Sequence, residues 1–296
     1  MRAVVSSGYT PNSSARAMRK GRYGAVTLVM SAEAHRSLVT PDMLSGIVST
    51  LTREGLRMLV DYIPDATLTS EEAFPRILLE RACDGMLINY QTHIPPMLET
   101  LVERYKIPAV WINSKRRFNS VYPDDYGAGR DAARALLEAG HTRIAYADSA
   151  FNFSEKEGIA HFSKTERRAG CADAVEEAGL KCEMLLDDPD APGPEAYMAM
   201  LRKVLTRKRP APPTAVVSYG GWSLDWLGVV KAETGAKLEI VAFGINAGAL
   251  SNRGVRGYVV PLAEVGERAA AMLAKRIADP ERKMASEMVG FGRFGI

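Results

Sequence analysis

The chain has 296 residues, 47% of them hydrophobic and 25% charged, which is enough to bury the cores of two ordinary domains and too apolar for a disordered protein. The net charge is only +3, yet Arg2, Arg16, Arg19, Lys20 and Arg22 place five of the 38 basic residues in positions 1–22 with no acid among them, leaving 33 basic against 35 acidic residues elsewhere. Three widely spaced cysteines, Cys83, Cys171 and Cys182, exclude a disulfide framework and a zinc ribbon, while the lack of a signal-like N-terminus or of eighteen successive apolar residues argues for a cytoplasmic protein with no membrane partner.

The first apolar, β-branched run, AVTLVM before Ser31, predicts a buried parallel strand. Pro41 then opens a helix whose apolar positions Leu44, Ile47, Val48 and Leu51 recur at helical spacing until Gly55. The alternation continues with a strand over 56–63, a helix over 71–82, a strand over 85–90, a helix over 95–105 and a strand over 109–113. Asp124 can cap a helix over 125–139 that Gly140 stops, and a strand over 144–147 follows. A second set has helices over 164–178, 194–206 and 223–234 and strands over 182–186, 215–219 and 238–243. Such βαβ alternation predicts an α/β protein with two doubly wound parallel sheets. The end is different: a short strand over 258–261, a long amphipathic helix over 262–278 and a final strand over 288–294.

Three stretches carry a resemblance. GYTPNSSARAMRKGRYGAVTLVM is similar to the junction between DNA-binding head, hinge helix and first core strand in regulators of the lactose-repressor (LacI/GalR) family. NSVYPDDYGAGRDAARALLEAGHTRIAYA resembles that family's Asp-containing turn, helix, Gly-His step and next strand. HFSKTERRAGCADAVEEAGL resembles the segment that carries an effector-binding Arg. The family implies a DNA-binding transcription regulator: two periplasmic-binding-protein-like subdomains joined by three crossovers, an N-terminal hinge helix, and a small-molecule effector bound between the subdomains. The corresponding domains are 1–22 for a head remnant and hinge, 23–147 plus 261–279 for the first subdomain, and 148–260 plus 280–296 for the second. The helix that reads the major groove in complete members is expected to be missing ahead of MRAVVSSGY.

In the hinge, Pro11 and Asn12 suit a helix start, Ala15 and Ala17 are small enough for close approach, Arg16, Arg19 and Lys20 suit phosphates, and Ser14 is a further implied DNA contact. By resemblance Met18 is the apolar wedge between base steps. A solvated basic tail is the plainer alternative. The implied partners are an operator DNA, a second copy of the chain in a homodimer, and an effector for which a carbohydrate is one class.

Effector contacts implied by position are Ser31 at the end of the first strand, His35 in the loop after it, Asn113, His161, Arg167, Tyr219, Trp222 and Asn246. Arg167 suits a carboxylate or vicinal hydroxyls, and its removal is expected to weaken the ligand with little effect on the ligand-free fold. Trp222 suits either ring stacking on a ligand or core packing. Two departures stand out: Gly220–Gly221 and Gly244–Ile245 occupy places where the family commonly carries Asn-Asp and an Asp that grips sugar hydroxyls. No nucleotide loop, nucleophile elbow or zinc helix motif appears, so neither an enzyme nor a cofactor is expected. A stand-alone binding protein of the periplasmic type is the rival reading, and the basic hinge and missing signal peptide oppose it.

Overall fold

A computed structural model describes residues 22–68 and 83–296. The hinge residues Asn12, Ser14, Ala15, Arg16, Met18 and Arg19, and the helix expected over 71–82, lie outside these described residues.

The chain forms two compact units, one of residues up to 121 with 263–287, the other of 122–262 with 288–296. Each is built on a six-stranded, mostly parallel sheet. In the first unit the order is β11-β5-β4-β3-β1-β2, with β1 (Ala25–Ser31), β2 (Arg57–Ile63), β3 (Gly85–Ile88), β4 (Ala109–Ile112), β5 (Ser120–Pro123) and β11 (Glu287–Val289). β1 is buried at every position, as its unbroken apolar run requires. Helices α1 (Pro41–Arg53), α2 (Pro96–Arg104) and α9 (Leu262–Ala278) accompany this sheet. α1 starts where the Thr40 hydroxyl accepts from the Met43 N–H and Pro41 occupies the first turn. A carbon added to Gly46 of α1 would lie 2.1 Å from the Ala263 carbonyl oxygen, so α1 and α9 pack backbone to backbone.

In the second unit the order is β12-β10-β9-β8-β6-β7, with β6 (Ile144–Asp148), β7 (Glu183–Leu186), β8 (Ala215–Ser218), β9 (Glu239–Gly244), β10 (Arg256–Val259) and β12 (Gly292–Phe294). Only β12 runs antiparallel, on β10. One sheet face carries α3 (Asp125–Glu138) and α5 (Phe162–Glu177) over Ile144, Tyr146, Val217 and Phe243. The opposite core cluster takes in Tyr197 and Leu201 of α6 (Pro194–Thr206) with Leu224 and Leu227 of α7 (Gly221–Thr234). Short helices α4 (Phe151–Lys156) and α8 (Ala247–Ser251) follow β6 and β9.

The expected pair of doubly wound sheets is thus present. Three corrections follow. β6, expected to close the first subdomain at residue 147, lies between β7 and β8, so α3 and β6 belong to the second unit and the first passage falls near Val121. The segment 280–287, expected in the second subdomain, belongs to the first: Asn119 donates its N–H to the Met284 carbonyl and accepts from the Met284 N–H, both at 2.9 Å. The single strand expected over 288–294 breaks at Gly290 into β11 on the first sheet and β12 on the second, which makes it the third passage.

Candidate functional site

Parallel sheets present ligand-binding loops beyond the carboxyl ends of their strands, where strand order reverses. In the second unit that place is the neighbourhood of β6 and β8. β6 ends on Asp148, whose carboxylate receives Lys164 Nζ at 3.0 and 2.8 Å. The two side chains are 2% and 13% exposed. Burial pushes the Asp148 carboxyl up, and Lys164 opposes that rise.

Arg167 lies three residues along α5 from Lys164, on the same face. Its Nε donates to Asp125 Oδ1 at 2.6 Å and its Nη1 to the Tyr219 carbonyl at 3.4 Å. Its guanidinium carbon also stands 4.7–5.3 Å from the ring centroids of Tyr219, Phe243 and Phe291. Charge and flat rings therefore fix it together. Asp125 is first in α3 and buried, behind Asp124, whose carboxylate caps Gly127 N–H at 2.9 Å. The two helices can bring these partners together because glycines lie where they touch. A carbon on Gly129 would sit 2.3 Å from the Arg167 carbonyl oxygen, and one on Gly170 would sit 2.1 Å from that of Tyr126.

Tyr219 joins the group through its hydroxyl, 2.9 Å from Ser163 Oγ, with Lys164 Nζ 4.4 Å from its ring centroid. Ser163 Oγ is in turn 2.8 Å from Nδ1 of His161, the residue that caps α5. His161, Arg167 and Tyr219 are thus linked through one network.

Trp222 and Asn246 stand at the starts of the helices that follow β8 and β9. Trp222 is 74% exposed at the start of α7, which removes the core-packing alternative. Asn246 caps α8, its Oδ1 accepting from Ala249 N–H at 2.8 Å. The glycines that replace the family's polar pair have a backbone reason. Gly220 has φ +103°, and a carbon added there would lie 2.1 Å from the Phe243 carbonyl oxygen. Gly221 is left-handed at φ +54°. Ile245, at the second departure, is half exposed.

In the first unit the reversal lies between β1 and β3. Ser31 ends β1, its hydroxyl donating to Asp65 Oδ1 at 2.7 Å, while the Tyr90 hydroxyl donates to the same oxygen at 3.1 Å. Arg36 pairs with the other oxygen of Asp65. His35 is exposed at φ +64°, and Asn113 is buried just past β4 at φ +52°. Asn89, past β3, is fully buried, gives its amide to the Leu38 carbonyl at 2.9 Å and, among the described residues, leaves its Oδ1 without a donor. Among the described residues, no group of three or more His, Cys, Asp and Glu side chains is arranged to hold a metal, and no helix is long and apolar enough to cross a membrane.

Sequence reasoning missed Asp125, Asp148, Ser163, Lys164 and Phe291. Lys164 carried a usable signal, one helical turn from Arg167. Asp125 carried half of one, in its place beside a capping Asp.

The profile described as a periplasmic binding protein-like domain matches residues 133–290. The HTH-type transcriptional regulator AglR of Rhizobium meliloti is 30% identical over 247 residues, which make up 81% of this chain and 65% of that protein. RafR of Escherichia coli is 25% identical over 232 residues, 74% of this chain and 62% of RafR. The HTH-type repressor PurR of the same species is 24% identical over 223 residues, 74% and 61% of the two chains. The chain therefore spans just under two thirds of the length of these relatives. Among solved structures, a regulatory protein of the LacI family from Chloroflexus aggregans superposes with TM-score 0.71 at 17% identity, over 91% of this chain and 96% of that one. The regulator CelR in complex with cellobiose gives 0.67 at 19% identity, over 99% and 87%.

Proposed function

We propose that this chain, which belongs to the periplasmic binding protein-like family, is the effector-responsive core of a DNA-binding transcription regulator of the LacI/GalR type. The observation that carries the reading is the fixing of Arg167, bonded to Asp125 and flanked by three aromatic rings at the carboxyl edge of the second sheet. A guanidinium held before the ligand arrives is pre-organised for bidentate recognition of a carboxylate or vicinal hydroxyls. His161, Tyr219, Trp222 and Asn246 complete that edge. We extend the reading to Ser31, His35 and Asn113 at the corresponding edge of the first unit.

Gly220–Gly221 after β8 and Gly244–Ile245 at the end of β9 stand where the family commonly carries Asn-Asp and an Asp that grips sugar hydroxyls. Hydroxyls buried there without partners cost about 1 to 3 kcal/mol each. The effector in this reading is a glycan larger than one sugar, or a non-sugar metabolite. CelR, a relative in fold, is described with cellobiose, which fits the first of these.

Binding biases a two-state core whose output is the geometry of paired hinge helices on operator DNA, so the regulator acts as a cytoplasmic homodimer and not as an enzyme. Its test is a thermal-shift screen of monosaccharides, disaccharides and organic acids, followed by DNA-binding anisotropy with and without the best stabiliser. The expected result is a stabiliser that changes DNA affinity and loses its effect in Arg167→Lys. A monosaccharide bound at micromolar affinity in both forms would overturn the assignment.

A further inference from the structure

The loop after β4 reads Lys115-Arg116-Arg117-Phe118, a cationic run that the effector reading leaves without a role. It turns back along the sheet and is held there by the paired Asn119–Met284 hydrogen bonds and a bridge from Phe118 to Ala285. Beneath this strap lies a cavity of about 430 Å³ whose wall includes Val102, Ala109, Trp111, Phe118, Arg276 and Pro280.

Arg276, in the last turn of α9, is only 8% exposed. Its Nη2 donates to the Pro280 carbonyl at 3.2 Å, and among the described residues its Nε finds no acceptor. Burial lowers its pKa, and among the described residues no carboxylate opposes that effect. A guanidinium taken out of water without a counter-charge is costly, and an anion in the cavity removes that cost.

The rim is also cationic once its own pairs are set aside. Lys106 bonds to Glu281 at 2.6 Å, and Arg116 pairs with Glu99 while lying 4.7 Å from the Trp111 ring centroid. Among the described residues Arg117 and Lys283 have no ion pair, and Glu103 is the carboxylate left to set against them and Arg276. The volume is that of a metabolite pocket, not of a single-ion site.

We infer that this cavity is a second ligand site, distinct from the effector edge, which takes a small organic anion: its phosphate or carboxylate head on Arg276 and its apolar or flat body against Trp111 and Phe118. The two sites use opposite ends of one strand. Ala109, which begins β4, lines the cavity, whereas Asn113 follows its carboxyl end. An anion here can tighten the Asn119–Met284 strap, and so the segment leading into β11, without touching the effector residues.

The test is calorimetry on the full chain with phenyl phosphate and benzoate, with benzyl alcohol as the neutral comparator. The expected result is saturable one-site binding of at least one anion with a Kd on the order of 1 mM or tighter, and none of the alcohol. Which anion binds better identifies the head group. Arg276→Met is expected to weaken that binding at least about tenfold. If that variant fails to fold, the exposed pair Arg117→Ala with Lys283→Ala decides, with an expected loss of about three- to tenfold. The inference is overturned by the absence of saturable anion binding, by equal binding of the alcohol, or by unchanged affinity in folded Arg276→Met or in the Arg117/Lys283 double variant.

Discussion

Arg167 and Asp125, 42 residues apart in sequence, meet in a 2.6 Å ion pair whose side chains are 8% and 1% exposed. Removing one partner strands the other's charge in the interior. Arg167→Met is therefore expected to cost about 3 to 5 kcal/mol, which lowers the melting temperature by roughly 10 °C. Adding Asp125→Asn in the same chain should recover part of the loss. Thermal melts of the three proteins check this, and a single variant melting near wild type would count against it. The expectation that Arg167 can be removed without harm to the ligand-free fold is accordingly revised.

Lys164 and Asp148 make a different prediction, because here the acid's pKa is already raised by burial. A carboxyl with a raised folded pKa binds its proton more readily in the folded state, so its effect favours folding at low pH and is lost as pH rises through the folded value. Lys164→Met removes the group that opposes the rise. The variant is expected to be about 3 kcal/mol less stable at pH 7.5 and to recover much of the difference near pH 5. Urea denaturation at the two values measures it. A deficit that does not change with pH would exclude a role for Asp148 charge.

Glu239 shows the reverse sign. His141 Nε2 lies 2.8 Å from its carboxylate and Arg256 pairs with it, and the hydrogen bond to His141 is the larger of the causes that hold its pKa below the usual range. Its contribution is present above the unfolded carboxylate pKa, about 4.3, and disappears as pH falls through the lower folded value. Partial exposure limits Glu239→Gln to about 1 kcal/mol or less at neutral pH. The gap between wild type and variant should close in acid melts below about pH 4.

The proposed homodimer needs an exposed apolar surface, and Val60 and Tyr62, on one face of the edge strand β2, are 49% and 60% exposed. Val60→Asp combined with Tyr62→Asp places two charges on that surface and should convert a sedimenting dimer to monomer without loss of helix signal. A dimer that persists in this variant would move the interface elsewhere.

Much of the fold was legible in short-range chemistry. The run AVTLVM is a fully buried strand, Asp124 caps α3 as its place before an amphipathic stretch suggests, and the bounds of α6 and α9 coincide with those read from apolar period alone. Long-range partnership was less legible. The pairing of Asp125 with Arg167 depends on Gly129 and Gly170 bringing two helices into backbone contact, and neither glycine differs locally from any other in a helix. β6 was assigned to the wrong unit because a buried apolar run is the same string in either sheet, and hydrogen bonding to β7 and β8 decides the matter. At Gly220, sequence registers a missing polar group, whereas the cause is a backbone that tolerates no side chain.

Residues 287–294 give β11 to one sheet and, after Gly290, β12 to the other. During synthesis both sheets must therefore wait for the same eight residues before their last edge is filled. Two units with separate sheets then share a single completion event in time. A ribosome-bound chain paused short of residue 287 exposes an open strand edge on each, the kind of surface that chaperones cover and that neighbouring nascent chains can pair with.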